Sequence, residues 1–209
     1  MKRFFLIVIC LIMLMISGCE LDFKEETYGF AREVSQNEQD LRLQLVQTAE
    51  SYLGCNQFDG THKPIIDLYN GHEPLAQGYE VQYTDQWCAT FVSAVAIQCG
   101  FTDIIPTECG CQRQIGLFDE LGYWQEDDTY IPLPGDIIFY ATGCKDAGDC
   151  TDWSNHVGIV VGTSETKIRV IEGNFNGKVA YHDISMDDTT IRGYGLPNYA
   201  SVATAPTEE

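Results

Sequence analysis

The chain has 209 residues, with 12 Lys and Arg against 31 Asp and Glu, and a formal net charge of −19. So negative a charge argues against a nucleic-acid-binding protein, because such proteins neutralise phosphates with Lys and Arg. Hydrophobic residues make up 44% of the chain and aromatic residues 11%, which is typical of a folded domain with a sizeable core.

The amino terminus has the pattern of an export signal. Lys2 and Arg3 precede an unbroken apolar run from Phe4 to Ile16, which is shorter than the roughly 20 residues that cross a bilayer as a helix. The run ends at Ile16-Ser17-Gly18-Cys19, which resembles a bacterial lipobox. Residues 1–18 are therefore predicted to be a lipoprotein signal peptide. The alternative is an ordinary secretory signal that happens to be followed by a cysteine.

Lipidation of Cys19 would tether the protein to a bacterial membrane on its extracytoplasmic side without spanning the membrane. Removal of residues 1–18 takes away two basic residues and no acidic one, which leaves 10 basic against 31 acidic residues and a net charge of −21. The polar residues 19–34 are predicted to form the tether between the lipid and the folded domain.

Helical patterns occupy the first half of the mature chain. Ser35-Gln-Asn-Glu38 is a capping-box pattern, and it predicts a helix with apolar residues at helical spacing that ends near Gly54. Cys55 to Thr84 is interrupted by Gly and Pro, so it is predicted to be a long loop with at most a short helical turn. A second helix is predicted from about Trp87 to Cys99, and a brief one over Gln112 to Leu121.

Short strands dominate the second half. From Leu133 onwards, apolar runs alternate with turns rich in Gly, Asn, Asp and Ser. The predicted strands are Ile137 to Tyr140, His156 to Val161, Lys167 to Asn174, Lys178 to His182 and Ile191 to Tyr194. Helices followed by a run of strands predict an α+β fold, with one domain over residues 35–200. Residues 201–209 are predicted to be a disordered tail.

The cysteines outside the signal and the lipidation site are odd in number. They are Cys55, Cys88, Cys99, Cys109, Cys111, Cys144 and Cys150. In an oxidising compartment, an odd count leaves at least one thiol outside any set of bridges. Cys144 and Cys150 flank a short polar loop and are the first pair expected to form a disulfide, although the sequence does not fix the connectivity.

Neither a metal nor another cofactor is predicted. A zinc site at Cys109 and Cys111 lacks the two well-spaced ligand pairs that such sites use. The acidic loop with Asp146, Asp149 and Asp152 offers oxygen ligands of the kind that Ca²⁺ takes, but it lacks an EF-hand pattern. A solvated loop closed by a disulfide is the preferred interpretation.

Cys88 is the candidate nucleophile. It lies at the predicted start of a helix, where the partial positive charge and unpaired N–H groups favour a thiolate. His156 begins a strand, and the hairpin to the next strand brings it opposite Glu172 to Asn174. In an even register, His156, Glu172 and Asn174 share a face, so that a carboxylate or amide can fix the imidazole tautomer. Gly158, on the same face, is expected to let the Cys88 helix approach.

Each of these residues also has an ordinary structural interpretation. Cys88 could be half of a disulfide or a core cysteine, and His156 an exposed residue at a strand end. Glu172 could be an edge charge, and Asn174 simply a turn residue. Their convergence on one strand end, together with a cysteine at a helix start, favours a catalytic site.

Four segments carry a resemblance to a known family. They are Gln86-Trp-Cys88-Ala-Thr-Phe91-Val-Ser, Pro134-Gly-Asp-Ile-Ile-Phe139, Asn155-His156-Val-Gly-Ile-Val and Ile171-Glu172-Gly-Asn174. In this order they resemble the CHAP domain, the cysteine, histidine-dependent amidohydrolase/peptidase of bacterial and phage cell-wall hydrolases. The resemblance implies a papain-like fold, with amino-terminal helices packed on a small antiparallel β-sheet.

The resemblance also implies roles. Cys88 would be the nucleophile and His156 the general base, with Glu172 and Asn174 as orienting groups. Gln82, six residues before the nucleophile, and Gln86 are candidate oxyanion donors. The implied substrate is a peptidoglycan stem peptide or crossbridge, or the bond that joins the stem to the sugar, so the enzyme would be an endopeptidase or an N-acetylmuramoyl-L-alanine amidase.

Two other functions stay open. One is a non-catalytic surface lipoprotein that uses the fold as a binding module, although a pure binder has no need of the complete set of catalytic residues. The other is a secreted disulfide scaffold in which Cys88 is paired.

Overall fold

The computed structural model describes residues 27–127, 129–144 and 150–203. The predicted signal peptide, Cys19 and the first half of the predicted tether (residues 19–26) lie outside these residues, as do Asp146 and Asp149. None of the helices in the described ranges is long and apolar enough to span a bilayer.

Five α-helices are present in the described part of the chain. They are α1 (Gln36–Glu50), α2 (Lys63–Asn70), α3 (Cys88–Cys99), α4 (Cys111–Glu120) and α5 (Tyr199–Ala203), and a 3₁₀ turn covers Ala76–Gly78. The capping box predicted for α1 is confirmed, because the Ser35 side chain accepts a hydrogen bond from the Glu38 backbone N–H. The region predicted as a long loop contains α2, so that prediction was wrong for Lys63–Asn70.

The strands form one antiparallel sheet. They are β1 (Trp124–Gln125), β2 (Ile137–Tyr140), β3 (His156–Thr163), β4 (Lys167–Phe175), β5 (Lys178–Ser185) and β6 (Ile191–Gly195), in the spatial order β1-β6-β2-β3-β4-β5. This arrangement confirms the α+β class, and helices packed on an antiparallel sheet are compatible with a papain-like fold. The two-residue strand β1 was not predicted.

Helix α3 is the centre of the core. Every residue from Cys88 to Ala96 is buried, so this helix is covered on all sides rather than amphipathic. It packs on one face of the sheet, chiefly on β3 and β4, and shares an apolar cluster with Val157 and Ile171 of those strands. A second apolar cluster covers the opposite face of the sheet and includes Ile138 and Val170.

A buried ion pair attaches α1 to the turn before β2. Arg42 Nη1 lies 2.8 Å from Asp136 Oδ1, and it also donates to the Pro134 carbonyl. The other carboxylate oxygen of Asp136 accepts from the Tyr130 hydroxyl and the Leu133 N–H. Because Asp136 is fully buried, these donors replace the water that its charge would otherwise need.

The two ends of the predicted domain differ from expectation. Part of the predicted tether is docked on the sheet, because Gly29 pairs with Thr163 and Arg32 donates to the Ile131 carbonyl. At the other end, Ser201 to Ala203 belong to α5, so the prediction of a disordered tail was wrong for these three residues. The remaining tail residues lie outside the described part of the chain.

Candidate active site

Cys88 is the first residue of α3, as the sequence indicated, and its side chain is 5% exposed. The pKa of its thiol is held well below the ordinary value. The main cause is a hydrogen bond with Cys111; a hydrogen bond and charge interaction with His156 and a bond from the Ala89 backbone N–H add to it, against burial. This sulfur is therefore set up to exist as a thiolate, the form that acts as a nucleophile.

His156 lies between the thiol and a buried carboxylate. Its Nε2 is 3.0 Å from Glu172 Oε2, and Glu172 is fully buried. Because a carboxylate can only accept, Nε2 carries the proton and Nδ1 is the nitrogen left for the sulfur. Burial lowers the pKa of His156, but the hydrogen bonds with Cys88 and Glu172 outweigh it and raise that pKa to about 10. The ring also stacks on Tyr140, with centroids 5.8 Å apart.

The register of the β3–β4 hairpin produces this contact. Ile159 pairs with Ile171 and Val160 with Val170, which puts Gly158 opposite Glu172 and gives the even register that the sequence analysis considered. A Cβ on Gly158 would lie 2.7 Å from Glu172 Cγ and 2.5 Å from Val170 Cγ1. Gly158 therefore makes room for Glu172.

The expectation that Gly158 admits the catalytic helix was wrong. Gly173, on the opposite face of β4, has that role, since a Cβ there would lie 2.3 Å from Phe91 Cβ on α3. The strand that carries Glu172 is thus in direct contact with the helix that carries Cys88.

A second histidine, which the sequence analysis did not include in the site, also contacts the carboxylate. His182 Nδ1 lies 3.2 Å from Glu172 Oε1, and the His182 ring stacks on Phe175. The hydrogen bond with Glu172 is the main cause that raises the pKa of His182. The two bonds from His156 and His182 keep the pKa of the Glu172 carboxyl below its ordinary value, although burial opposes them. Glu172 is therefore an anion held between two imidazoles.

The remaining predicted site residues, Asn174, Gln82 and Gln86, bond to partners other than His156 and Glu172. Asn174, at φ 59°, donates through Nδ2 to Gln86 Oε1 at 2.7 Å, and no hydrogen bond joins it to His156. Gln82 is exposed, and its side-chain amide donates to the Glu80 carbonyl. Asn174 therefore lies beside the site and contacts the chain just before the nucleophile, rather than the imidazole.

Cys111 is the other site residue that the sequence analysis missed. It begins α4, and its sulfur is 3.6 Å from that of Cys88. The pKa of the Cys111 thiol is well above its ordinary value, chiefly because of its hydrogen bond with Cys88. In this pair Cys111 is the thiol that donates and Cys88 is the thiolate that accepts.

The seven cysteines of the described residues are all free thiols. The predicted disulfide between Cys144 and Cys150 is therefore not formed, although both side chains are buried in one small cluster with Ala141. No group of three or more His, Cys, Asp and Glu is arranged to hold a metal ion within the described ranges. Two of the three carboxylates considered for Ca²⁺ are outside those ranges.

An open cavity of about 290 Å³ adjoins the imidazole pair. Polar side chains make up most of its wall, including Thr142, Asn155, His156, Asn174 and His182. Cys88 does not line this cavity, so the cavity adjoins the imidazole and carboxylate part of the site rather than the sulfur.

The comparisons with known proteins agree with this geometry. The CHAP domain family model matches residues 78–174, a segment that includes Cys88, His156, Glu172 and Asn174 but ends before His182. No curated protein and no solved structure matches the chain.

Proposed function

We propose that this chain hydrolyses an amide bond of peptidoglycan, because the family model that matches residues 78–174 is that of the CHAP domain, whose members are typically cysteine- and histidine-dependent amidohydrolases. The observation that supports this function is the row of groups formed by the Cys88 sulfur, the His156 imidazole and the Glu172 carboxylate. A low thiol pKa, a neighbouring imidazole and a buried anion behind it are what nucleophilic catalysis by cysteine requires.

The reaction begins with attack of the Cys88 thiolate on the amide carbonyl carbon. The C=O pair of electrons moves to the oxygen, and the tetrahedral intermediate then collapses as the imidazolium of His156 gives the Nδ1 proton to the leaving amine. The resulting thioester is hydrolysed by a water from which the now neutral imidazole takes a proton. Glu172 holds the Nε2–H bond throughout and remains ionised.

The oxyanion of the intermediate needs donors. The backbone N–H of Cys88, at a helix start, is one of them, and a side-chain amide is the second. Gln82 and Gln86 are the two candidates. Gln86 accepts from Asn174 through its oxygen, which leaves both hydrogens of its NH₂ group to donate, whereas Gln82 already donates one of its two amide hydrogens to the Glu80 carbonyl.

Parallel kinetics of Gln82→Ala and Gln86→Ala distinguish the two donors. We expect kcat to fall by about 10²–10³-fold for the variant that loses the donor, with a small change in KM. The other variant serves as the control and stays close to wild type. If neither variant loses kcat, the second donor is not a glutamine.

The substrate class is a peptidoglycan stem peptide or crossbridge, or the amide that joins the stem to the sugar. The mature chain, with 10 basic against 31 acidic residues and a net charge of −21, gains nothing from long-range attraction to an anionic wall, so the proposal includes a lipid on Cys19 that keeps the enzyme near its substrate. Metabolic labelling with a fatty acid tests that anchor, and absence of label on Cys19 refutes it.

The decisive experiment is digestion of purified peptidoglycan with mass analysis of the fragments. New amino termini within peptides identify an endopeptidase, and released intact stems identify an amidase. Cys88→Ala should abolish both, while Cys99→Ala, at the other end of the same helix, should retain them. If wild type and Cys88→Ala leave peptidoglycan equally intact yet both bind it, the protein is a binding module and not a hydrolase.

A further inference from the structure

The proposed reaction uses one thiol, yet the site holds two. The sulfurs of Cys88 and Cys111 are 3.6 Å apart, and both residues are the first of their helices. The two residues are 5% and 8% exposed, so each retains a small accessible surface. Cys111 supports the Cys88 thiolate through its hydrogen bond, but amide hydrolysis needs no second sulfur, because the imidazole performs the proton transfers.

The segment before Cys111 is fixed to the catalytic helix. Ser93 on α3 donates through its hydroxyl to the Glu108 carbonyl at 2.8 Å and accepts from the Glu108 N–H at 2.9 Å. The Glu108 side chain is buried, and its Oε1 accepts from the backbone N–H groups of Cys109 and Gly110. These bonds hold the start of α4 beside the start of α3.

A third contact ties the same segment to the strand of the general base. The side chain of Gln112 accepts from the Ser154 N–H at 2.9 Å, two residues before His156. Cys111 therefore lies between two anchored neighbours, Glu108 and Gln112. Hydrogen bonds on both sides of Cys111 therefore hold its sulfur close to that of Cys88.

The two sulfurs are already in contact at 3.6 Å. An S–S bond is about 2.05 Å long, so they need to approach by roughly 1.5 Å to form one. The two thiols also have opposite ionisation tendencies, Cys88 as the thiolate and Cys111 as the neutral partner. Such an asymmetric pair is what stepwise oxidation needs, because one sulfur attacks the oxidant and the other completes the bridge.

We propose that Cys88 and Cys111 form a modification site at which a hydroperoxide reversibly converts the pair to a disulfide. The Cys88 thiolate attacks one peroxide oxygen and breaks the O–O bond, which gives a sulfenic acid and, after protonation, water. The Cys111 sulfur then attacks the sulfenic sulfur, and the hydroxyl leaves as a second water that carries the Cys111 proton. In total, two thiols and one hydrogen peroxide give one disulfide and two waters.

The consequence for activity rests on the proposed function. In the oxidised form the nucleophilic sulfur is consumed, so hydrolysis stops, and a dithiol reductant restores it. Cys111 also protects Cys88, because the sulfenic acid is trapped before further peroxide can oxidise it irreversibly.

The test follows the covalent state of the reduced full chain during titration with hydrogen peroxide. The remaining free thiols are alkylated, and the chain is then cleaved on the carboxyl side of Glu80, Glu108 and Glu120. This cleavage places Cys88 and Cys111 on different peptides, 81–108 and 109–120. We expect these peptides to appear joined, with a loss of two hydrogens, and to separate after treatment with dithiothreitol.

Three variants separate this pair from its neighbours. Cys109→Ser and Cys99→Ser remove the other thiols on the two peptides and should leave the joined product unchanged. Cys111→Ser should lose it, and its Cys88 should instead accumulate as sulfinic and sulfonic acids that dithiothreitol does not reverse. After peroxide and then dithiothreitol, hydrolase activity is compared with that of the same protein before oxidation. It should recover almost completely in wild type and not at all in Cys111→Ser.

The proposal is overturned if wild-type Cys88 proceeds to the sulfinic acid at the same rate as in Cys111→Ser, or if the joined peptides persist in Cys111→Ser. The readout is the mass of the cysteine peptides, so it does not depend on the hydrolase assay. A disulfide that forms in a protein without activity on peptidoglycan would refute the proposed function and leave this modification site intact.

Discussion

Replacement of the buried carboxylate tests how the thiolate–imidazolium pair is maintained. In Glu172→Gln the side chain keeps its shape, but the negative charge 3.0 Å from His156 Nε2 is lost. The pKa of His156 stands at about 10 against an ordinary value of 6.5, a difference worth about 5 kcal/mol between its two protonation states. Cys88 and Glu172 together cause that difference. We therefore expect loss of the Glu172 charge to lower the pKa of His156 by at least about one unit.

The assay is the pH dependence of kcat/KM for peptidoglycan fragments. Activity needs the Cys88 thiolate and the His156 imidazolium, so it should rise with the ionisation of Cys88 and fall as His156 loses its proton near pH 10. In Glu172→Gln the alkaline fall should move to lower pH by about 1–2 units, and kcat/KM at neutral pH should drop by about 100-fold or more.

A matched control separates the local contact from a general change in charge. Asp183→Asn removes one negative charge from β5, but Asp183 is paired with Arg169 on the surface of the sheet. Its profile should match that of wild type. An alkaline limb that stays near pH 10 in Glu172→Gln would show that Glu172 does not support the imidazolium and would refute the assigned role.

Two further predictions concern the scaffold of the site. Gly173→Ala should lower the free energy of unfolding, measured by thermal melts, by about 1–3 kcal/mol and should reduce kcat, because the new Cβ meets Phe91 on α3. The control is Gly116→Ala in α4, which has open space around it and should be neutral or stabilising by up to about 1 kcal/mol in the same melts. Arg42→Ala should cost about 3–5 kcal/mol in denaturant titration, since it leaves the charge of Asp136 buried and unpaired, and a loss below 1 kcal/mol would contradict that view of the pair.

The sequence predicted those parts of the site that local patterns encode. The helix start at Cys88 and the pairing of β3 with β4 follow from periodicity and turn residues, and the alternation of strand side chains then puts Glu172 beside His156. His182 was within reach of the same argument. Glu172 pairs with Ala180 in the next hairpin, so a residue two positions beyond Ala180 lies on the same face and diagonal to the carboxylate.

Other features had no local signal. Cys111 reaches Cys88 only through the packing of α4 against α3 and the bonds between Ser93 and Glu108, and such long-range contacts leave no pattern in a single sequence. Helix α2 was missed because Gly and Pro around it indicate loops, although Pro64 lies in its first turn, where proline is tolerated. The docked tether was missed for the same reason as Cys111, since Gly29 pairs with a strand far along the chain.

The extra histidine explains how a fully buried carboxylate can serve this site. The row runs from thiolate to imidazolium to carboxylate to imidazole, in the order Cys88, His156, Glu172, His182. While His182 is protonated the row contains two negative and two positive charges, so the burial of Glu172 is balanced from both sides. Because the pKa of His182 is raised in the fold, its contribution to stability is complete below its ordinary pKa of about 6.5 and declines as the pH rises through the raised value. Its side chain is 37% exposed, which lets that proton exchange with solvent while His156 keeps its own. In the proposed mechanism, His182 therefore acts through Glu172, as a positioning residue and not as a group that touches the substrate.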